Sequence, residues 1–130
     1  MKFSNEKPPI FDRLQKKFGV EWGKNLVVAY NDTIYHTEPL HPSVLVHEAV
    51  HLERQRGNAD EWFSKYIDNE EFRFKEELLA YKAQYKYLEQ TIKDRNELAR
   101  ILYKLASDLS GSMYGNIISR NEAVKLLKLK

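Results

Sequence analysis

The sequence predicts an α+β domain that is dominated by helices and carries one small β-hairpin. Apolar residues recur at spacings of three and four along most of the chain, which is the period of helices with a buried face. Two short runs rich in β-formers, 26–30 and 33–36, flank the turn pair Asn31–Asp32. The 130 residues suit one domain with a modest core, so we expect a single domain over 1–130.

The first half of the chain predicts a helix, the hairpin and a second helix. Ile10–Phe18 has helical spacing and is followed by Gly19, which suits the end of a helix. After the hairpin the chain reaches Pro42, and proline is tolerated in the first turn of a helix. We therefore expect a partly buried second helix that starts at Pro42 and ends near Arg56, just before Gly57.

The second half of the chain predicts four more helices. The longest is marked by an apolar stripe that comprises Phe74, Leu78, Tyr81, Tyr85 and Leu88. Asp68 is expected to cap its start, and Ser119–Glu122 has the pattern of a capping box for the last helix. The four predicted helices cover 61–67, about 69–88, 94–109 and 119–127.

Composition is typical of a small soluble globular protein. The formal net charge is only +2, so nothing in the charge demands a nucleic acid or an anionic membrane as partner. The chain has no cysteine, which excludes disulfides and thiolate metal sites. Its first residues lack an apolar signal segment and no run reaches transmembrane length, so we expect a cytoplasmic protein.

Residues 47–51 have the pattern H-E-x-x-H, which is typical of zinc metallopeptidases. On a helix, residues four apart project from one face, so His47 and His51 can bind one zinc ion. Glu48 would then lie beside the open position and accept a proton from the water that zinc activates. The alternative is a pair of histidines at the edge of an apolar face, satisfied by ordinary hydrogen bonds.

The third zinc ligand must come from outside the motif. The longer pattern H-E-x-x-H-x-x-G-x-x-H fails, since Arg54 stands at its glycine and Gly57 at its last histidine. The remaining common option is a carboxylate on a later helix. The predicted 69–88 helix offers three glutamates for this role: Glu70, Glu76 and Glu77.

The phase of this helix separates the three candidates. At about 100° per residue, Glu77 falls roughly 60° from the centre of the apolar stripe and Glu76 roughly 160° away. We therefore expect Glu77 to face inward as the ligand and Glu76 to face water. Glu70 falls in the first turn, where a carboxylate already suits the helix dipole. The alternative for Glu77 is a solvated carboxylate on a charged helix.

Beyond the motif, the chain resembles small metallopeptidases of bacteriophages and prophages over roughly 25–125. The resemblance is carried by 44–55, Trp62, Tyr66, 77–84 and the tail 105–116. More widely, the chain is similar to minimal gluzincins, which are zincins with a glutamate as third ligand. The resemblance implies a zincin-like metallopeptidase domain, Zn²⁺ held by His47, His51 and Glu77, and a peptide or protein substrate. It also implies a phage-encoded or virion-associated protein.

The resemblance has consequences for the cleft as well. In zincins, the strand before the active-site helix borders the cleft and pairs with substrate, so Thr33–His36 is expected to offer an exposed edge there. A donor to the oxyanion is also expected, and the candidates are Tyr81, Tyr114 and His36.

Zinc-dependent hydrolysis of peptide bonds, with Glu48 as general base, is the leading functional hypothesis. One alternative is a non-catalytic protein of a phage particle that keeps the zincin fold for a structural or binding role. Another is a zinc hydrolase that cleaves cell-wall amides. The sequence does not identify the substrate, the cleavage preference or the oligomeric state.

Overall fold

The computed structural model describes residues 1–23 and 25–129 and confirms a helix-dominated α+β fold. Within these residues, the elements are β1 (Lys2–Ser4), α1 (Phe11–Phe18), β2 (Val28–Tyr30), β3 (Thr33–Tyr35), α2 (Pro42–Gln55), α3 (Ala59–Asp68), α4 (Glu70–Thr91), α5 (Arg95–Leu109), a 3-10 turn (Ser112–Tyr114) and α6 (Arg120–Lys128). Among the same residues, no helix has both the length and the apolar character needed to span a membrane.

The sheet has the order β1-β3-β2, with β1 parallel and β2 antiparallel to β3. The predicted hairpin is confirmed, and Asn31 turns it with a φ of 59°, a left-handed value that asparagine tolerates. Strand β1 is absent from the sequence prediction because three residues are too few to show alternation. Since β1 and β2 flank β3, the expected exposed edge on Thr33–His36 is wrong. The edge beside α2 belongs to β2.

Two apolar clusters form the core, and α4 runs between them. The first joins one face of α4 to α5 and α6 and includes Phe74, Tyr85, Leu88, Leu105, Leu109 and Leu127. The second joins α1, β2 and α3 and includes Ile10, Leu14, Val28, Trp62, Phe63 and Tyr66. Because α4 also packs along α2 and α3, it has more than one buried face. This packing places the 47–51 motif opposite the glutamates of α4.

Side-chain caps fix the starts of α4 and α6. Asn69, not Asp68, caps α4: its Oδ1 accepts a hydrogen bond from the backbone N–H of Phe72 at 2.9 Å. The expectation for Asp68 is wrong because α3 continues through that residue and only Asn69 separates the two helices. The capping box is confirmed, since Ser119 and Glu122 bond to each other's backbone N–H.

Candidate metal centre

The two histidines of the motif and Glu77 converge where α2 faces α4. All three side chains are buried. His47 Nε2 lies 3.1 Å from Glu77 Oε1, and His51 Nε2 lies 3.2 Å from Glu77 Oε2. One ligand atom from each residue lies within 4.8 Å of the other two. Tetrahedral zinc ligands at about 2.0–2.2 Å from the ion are roughly 3.3 Å apart, so this donor set fits such an ion.

Two hydrogen bonds from neighbouring side chains orient His47 and Glu77. His47 Nδ1 donates to Gln84 Oε1 at 2.9 Å, and the Tyr66 hydroxyl donates to Glu77 Oε2 at 2.6 Å. Partners of this kind fix the direction of a ligand's lone pair. Among the described residues, His51 Nδ1 has no hydrogen-bond partner. Neither orienting residue was predicted from the sequence, although Gln84 lies two turns after Glu77 and so on the same helix face.

The prediction that Glu76 faces water is wrong. Its side chain is only 3 % exposed and accepts hydrogen bonds from Arg54 Nε and Nη2 at 3.0 and 2.9 Å and from Trp62 Nε1 at 2.9 Å. Burial alone would raise the pKa of Glu76, but these hydrogen bonds lower it. A helix with one buried face would expose Glu76, whereas the face of α4 opposite the apolar stripe packs against α2 and α3.

Glu70 stays outside the cluster, as its position in the first turn implies. It is the exposed first residue of α4, and its carboxylate lies against Gly115. Two helical turns, roughly 10 Å, separate it from Glu77 along the helix axis. The structure therefore brings only Glu77, of the three candidate glutamates, up to both histidines.

Glu48 lies beside the three donor groups and lines the same cavity. It is 8 % exposed, and its Oε2 lies 3.9 Å from His47 Nε2. Burial raises the pKa of Glu48, and the nearby His47 and His51 offset this only in part. The carboxylate therefore binds a proton more readily than a solvated glutamate does.

His51 and Glu77 form a charged pair in the metal-free protein. Burial alone would lower the pKa of His51, but the adjacent Glu77 raises it to about 9. Burial alone would raise the pKa of Glu77, but His51 and His47 hold it well below its usual range. At neutral pH the centre therefore holds a protonated His51 beside an ionised Glu77. A metal ion that binds there must displace the proton of His51.

A cavity of about 390 Å³ opens onto the cluster. Its apolar side is built by α1, β2 with the segment before it, and α3, through Leu14, Phe18, Leu26, Val28 and Phe63. Its polar side carries Tyr81, Gln84, Asp108 and Tyr114. Among the described residues, no lysine or arginine lines it. The cavity therefore presents one apolar side and one polar side to a ligand.

Two of the three candidate oxyanion donors lie at this cavity. The ring of Tyr81 contacts His47 edge-on, with centroids 4.5 Å apart, and the ring of Tyr114 contacts Tyr81 in turn. Burial raises the pKa of both tyrosines, so their hydroxyls stay protonated. The two hydroxyls are hydrogen-bonded to each other, which leaves one hydroxyl proton to donate to an oxygen atom in the cavity. His36 is directed elsewhere, since its Nδ1 lies 2.8 Å from the carbonyl of Glu38 and its ring contacts Phe3.

No known family model, curated protein or solved structure matches the chain. The chemistry of the site itself therefore indicates its function. That chemistry consists of two imidazoles and a carboxylate that converge, a proton-binding glutamate beside them, and a cavity that reaches all four groups.

Proposed function

We propose that the protein is a zinc-dependent metallopeptidase that hydrolyses peptide bonds. His47, His51 and Glu77 would hold the zinc ion, and Glu48 would carry protons between water and the leaving amine. The observation that carries the proposal is the position of Glu48. It is a buried carboxylate with a raised pKa, and it lies beside three convergent metal donors in one cavity.

The donor set supports zinc in particular. Two imidazole nitrogens and one carboxylate oxygen are a common ligand set for catalytic zinc, with one position left for water or substrate. A zinc ion bound there would polarise the substrate carbonyl and make a water molecule easier to deprotonate. Gln84 and Tyr66 would hold two of the ligands in the orientation that binding requires.

The residues of the chain then supply the proton transfers. Glu48 accepts the water proton on its carboxylate while that water attacks the carbonyl carbon. It then releases the proton to the nitrogen of the leaving amine. A raised pKa suits the first step, because a carboxylate that binds a proton more readily is a stronger base. Burial of Glu48 also excludes bulk water, which would otherwise compete for the same proton.

The surroundings favour a peptide as substrate. Strand β2 lies at the edge of the sheet beside α2, and residues 25–29 line the cavity. An extended peptide can add to such an edge through backbone hydrogen bonds. The carbonyl of Ala29 already accepts a hydrogen bond from Gln55 Nε2 at 2.7 Å. The part of this edge that is open to a peptide therefore precedes that carbonyl in the sequence. The apolar side of the cavity would take an apolar side chain of the substrate.

The proposal is tested with purified protein. We expect about one zinc per chain by metal analysis, and cleavage of members of a peptide library but not of cell-wall fragments. Removal of zinc by a chelator should abolish cleavage, and added zinc should restore it. Zinc binding without cleavage of either panel would favour a structural zincin. Cleavage of cell-wall fragments alone would favour the amide hydrolase.

Zinc binding should release about one proton per chain at neutral pH, because zinc binds the neutral imidazole of His51. The pKa of this imidazole is about 9 in the metal-free protein. Below that pH the proton competes with zinc, so the apparent affinity should rise about tenfold per pH unit toward 9 and then level off. Calorimetric titration in buffers of different ionisation enthalpy measures the released proton. A His36→Gln variant should release the same number, and zero release would show that His51 is neutral without metal.

A further inference from the structure

A chain of hydrogen bonds connects the start of α2 to the metal centre. His41 precedes α2, and its Nδ1 lies 2.8 Å from Ser43 Oγ. Gln84 Nε2 lies 3.4 Å from Ser43 Oγ, and Gln84 Oε1 lies 2.9 Å from His47 Nδ1. His41 is exposed, whereas Ser43, Gln84 and His47 are buried. The exposed N-cap residue His41 is thus linked to the ring of His47 through the buried side chains of Ser43 and Gln84.

One backbone group fixes which atom donates and which accepts in each of these hydrogen bonds. The N–H of Ser43 points at His41 Nδ1 at 3.0 Å, and a backbone N–H can only donate. His41 Nδ1 must therefore carry a lone pair. The short contact between Ser43 Oγ and that nitrogen then needs the hydroxyl proton of Ser43.

The remaining bonds are fixed in turn. Since the Ser43 hydroxyl donates its hydrogen bond to His41, Oγ offers only lone pairs to Gln84, and the amide NH₂ of Gln84 must face it. The amide oxygen of Gln84 consequently faces His47 Nδ1 and accepts a hydrogen bond from its N–H. With one proton fixed on Nδ1, Nε2 is the ring nitrogen left to bind a metal ion; in the metal-free protein it lies 3.1 Å from Glu77 Oε1. The reversed amide would place the ring proton on Nε2, where it would block a metal ion.

We propose that His41, Ser43 and Gln84 are positioning residues that fix the tautomer of His47 for metal binding. The N-cap of α2 sets the donor–acceptor direction of these hydrogen bonds, and Gln84 extends that direction to the His47 ring. This inference rests on the proposed metal site and not on turnover. It assigns to the exposed His41 and to Ser43 a role in metal affinity, although neither is one of the three convergent donors.

The tautomer can be read by NMR in the metal-free protein. Long-range ¹H–¹⁵N correlation distinguishes protonated from bare ring nitrogens, and the four histidines are assigned from single variants. We expect a proton on His47 Nδ1 that exchanges slowly with water in the wild type and rapidly in Gln84→Leu. A wild type whose His47 carries its proton on Nε2 alone would overturn the proposal. This readout decides the matter even if the wild type binds no zinc, in which case the proposed function fails separately.

Zinc affinity, measured by competition with a chelator, tests whether the direction of these hydrogen bonds matters for metal binding. Gln84→Leu should bind zinc about 10- to 100-fold more weakly, whereas Gln90→Leu, at an exposed position on the same helix, should bind as the wild type does. Ser43→Ala should cost about threefold to tenfold, because the amide of Gln84 loses the group that orients it.

A double variant separates a directed chain from simple packing. Gln84→Glu presents oxygen atoms in either orientation, so it should retain zinc binding without help from Ser43. Adding Ser43→Ala to Gln84→Glu should therefore change the affinity by less than about twofold. An equal loss from Ser43→Ala in both backgrounds would show that Ser43 only supports the fold, and would overturn the inference. Wild-type affinity in Gln84→Leu would overturn it as well.

Discussion

The Glu48→Gln variant should stay folded and bind zinc as the wild type does, yet lose about 10²- to 10⁴-fold in hydrolytic rate. Glutamine is nearly isosteric with glutamate, and Glu48 is not one of the three convergent donors. The amide cannot take up the proton of the attacking water, so the loss should fall on kcat. Peptide hydrolysis and metal analysis of the same preparations measure both parts of the prediction.

The stability of this variant distinguishes lost chemistry from a damaged fold. The raised pKa of Glu48 means that the folded protein holds this proton more tightly than the unfolded chain does. Ionisation of Glu48 therefore destabilises the fold as pH rises through that pKa. A neutral glutamine avoids this cost, so the melting temperature of metal-free Glu48→Gln should equal or exceed that of the wild type at neutral pH.

The matched control for Glu48→Gln is Glu53→Gln. Glu53 lies on the same helix, but its side chain is 65 % exposed and pairs with Arg56 at the surface. It should keep full activity and zinc. If Glu48→Gln kept wild-type activity under these conditions, Glu48 could not be the general base and the proposed mechanism would be wrong.

Local rules account for the part of the site that the sequence predicts. The i, i+4 spacing of His47 and His51 places them on one helix face wherever that helix packs. The phase of Glu77 relative to the apolar stripe of α4 turned it inward, and the structure brings it to both histidines. Both inferences need only the helical period and a partner surface, and the sequence supplies both.

Tertiary packing explains what the sequence did not predict. Glu76 lies opposite the apolar stripe, and a helix with a single buried face would expose it. Helix α4 is buried on that side too, and Arg54 and Trp62 make the buried carboxylate tolerable. Strand β1 exists because β3, about thirty residues away in the chain, offers it an edge. Such a pairing leaves no periodic signal in three residues.

Glu77→Ala should lose most of the bound zinc, because it removes one of three ligands and leaves two imidazoles alone. The loss of zinc affinity should exceed the 10- to 100-fold effect that is typical of residues that hydrogen-bond to a metal ligand without contacting the metal. Zinc should raise the melting temperature of the wild type, since a ligand that binds only the folded state stabilises it, but should barely raise that of Glu77→Ala.

The neighbouring glutamates provide the controls for Glu77→Ala. Glu70→Ala should keep full zinc and wild-type stability, because Glu70 is exposed and outside the cluster. Glu76→Ala should keep about one zinc per chain but lose about 1–3 kcal/mol of stability, since the buried Trp62 Nε1–H loses its acceptor. Full zinc in Glu77→Ala, with zinc lost in either control, would assign the third ligand to another glutamate. Zinc lost only in Glu77→Ala would place the third ligand on the helix face that also carries Gln84.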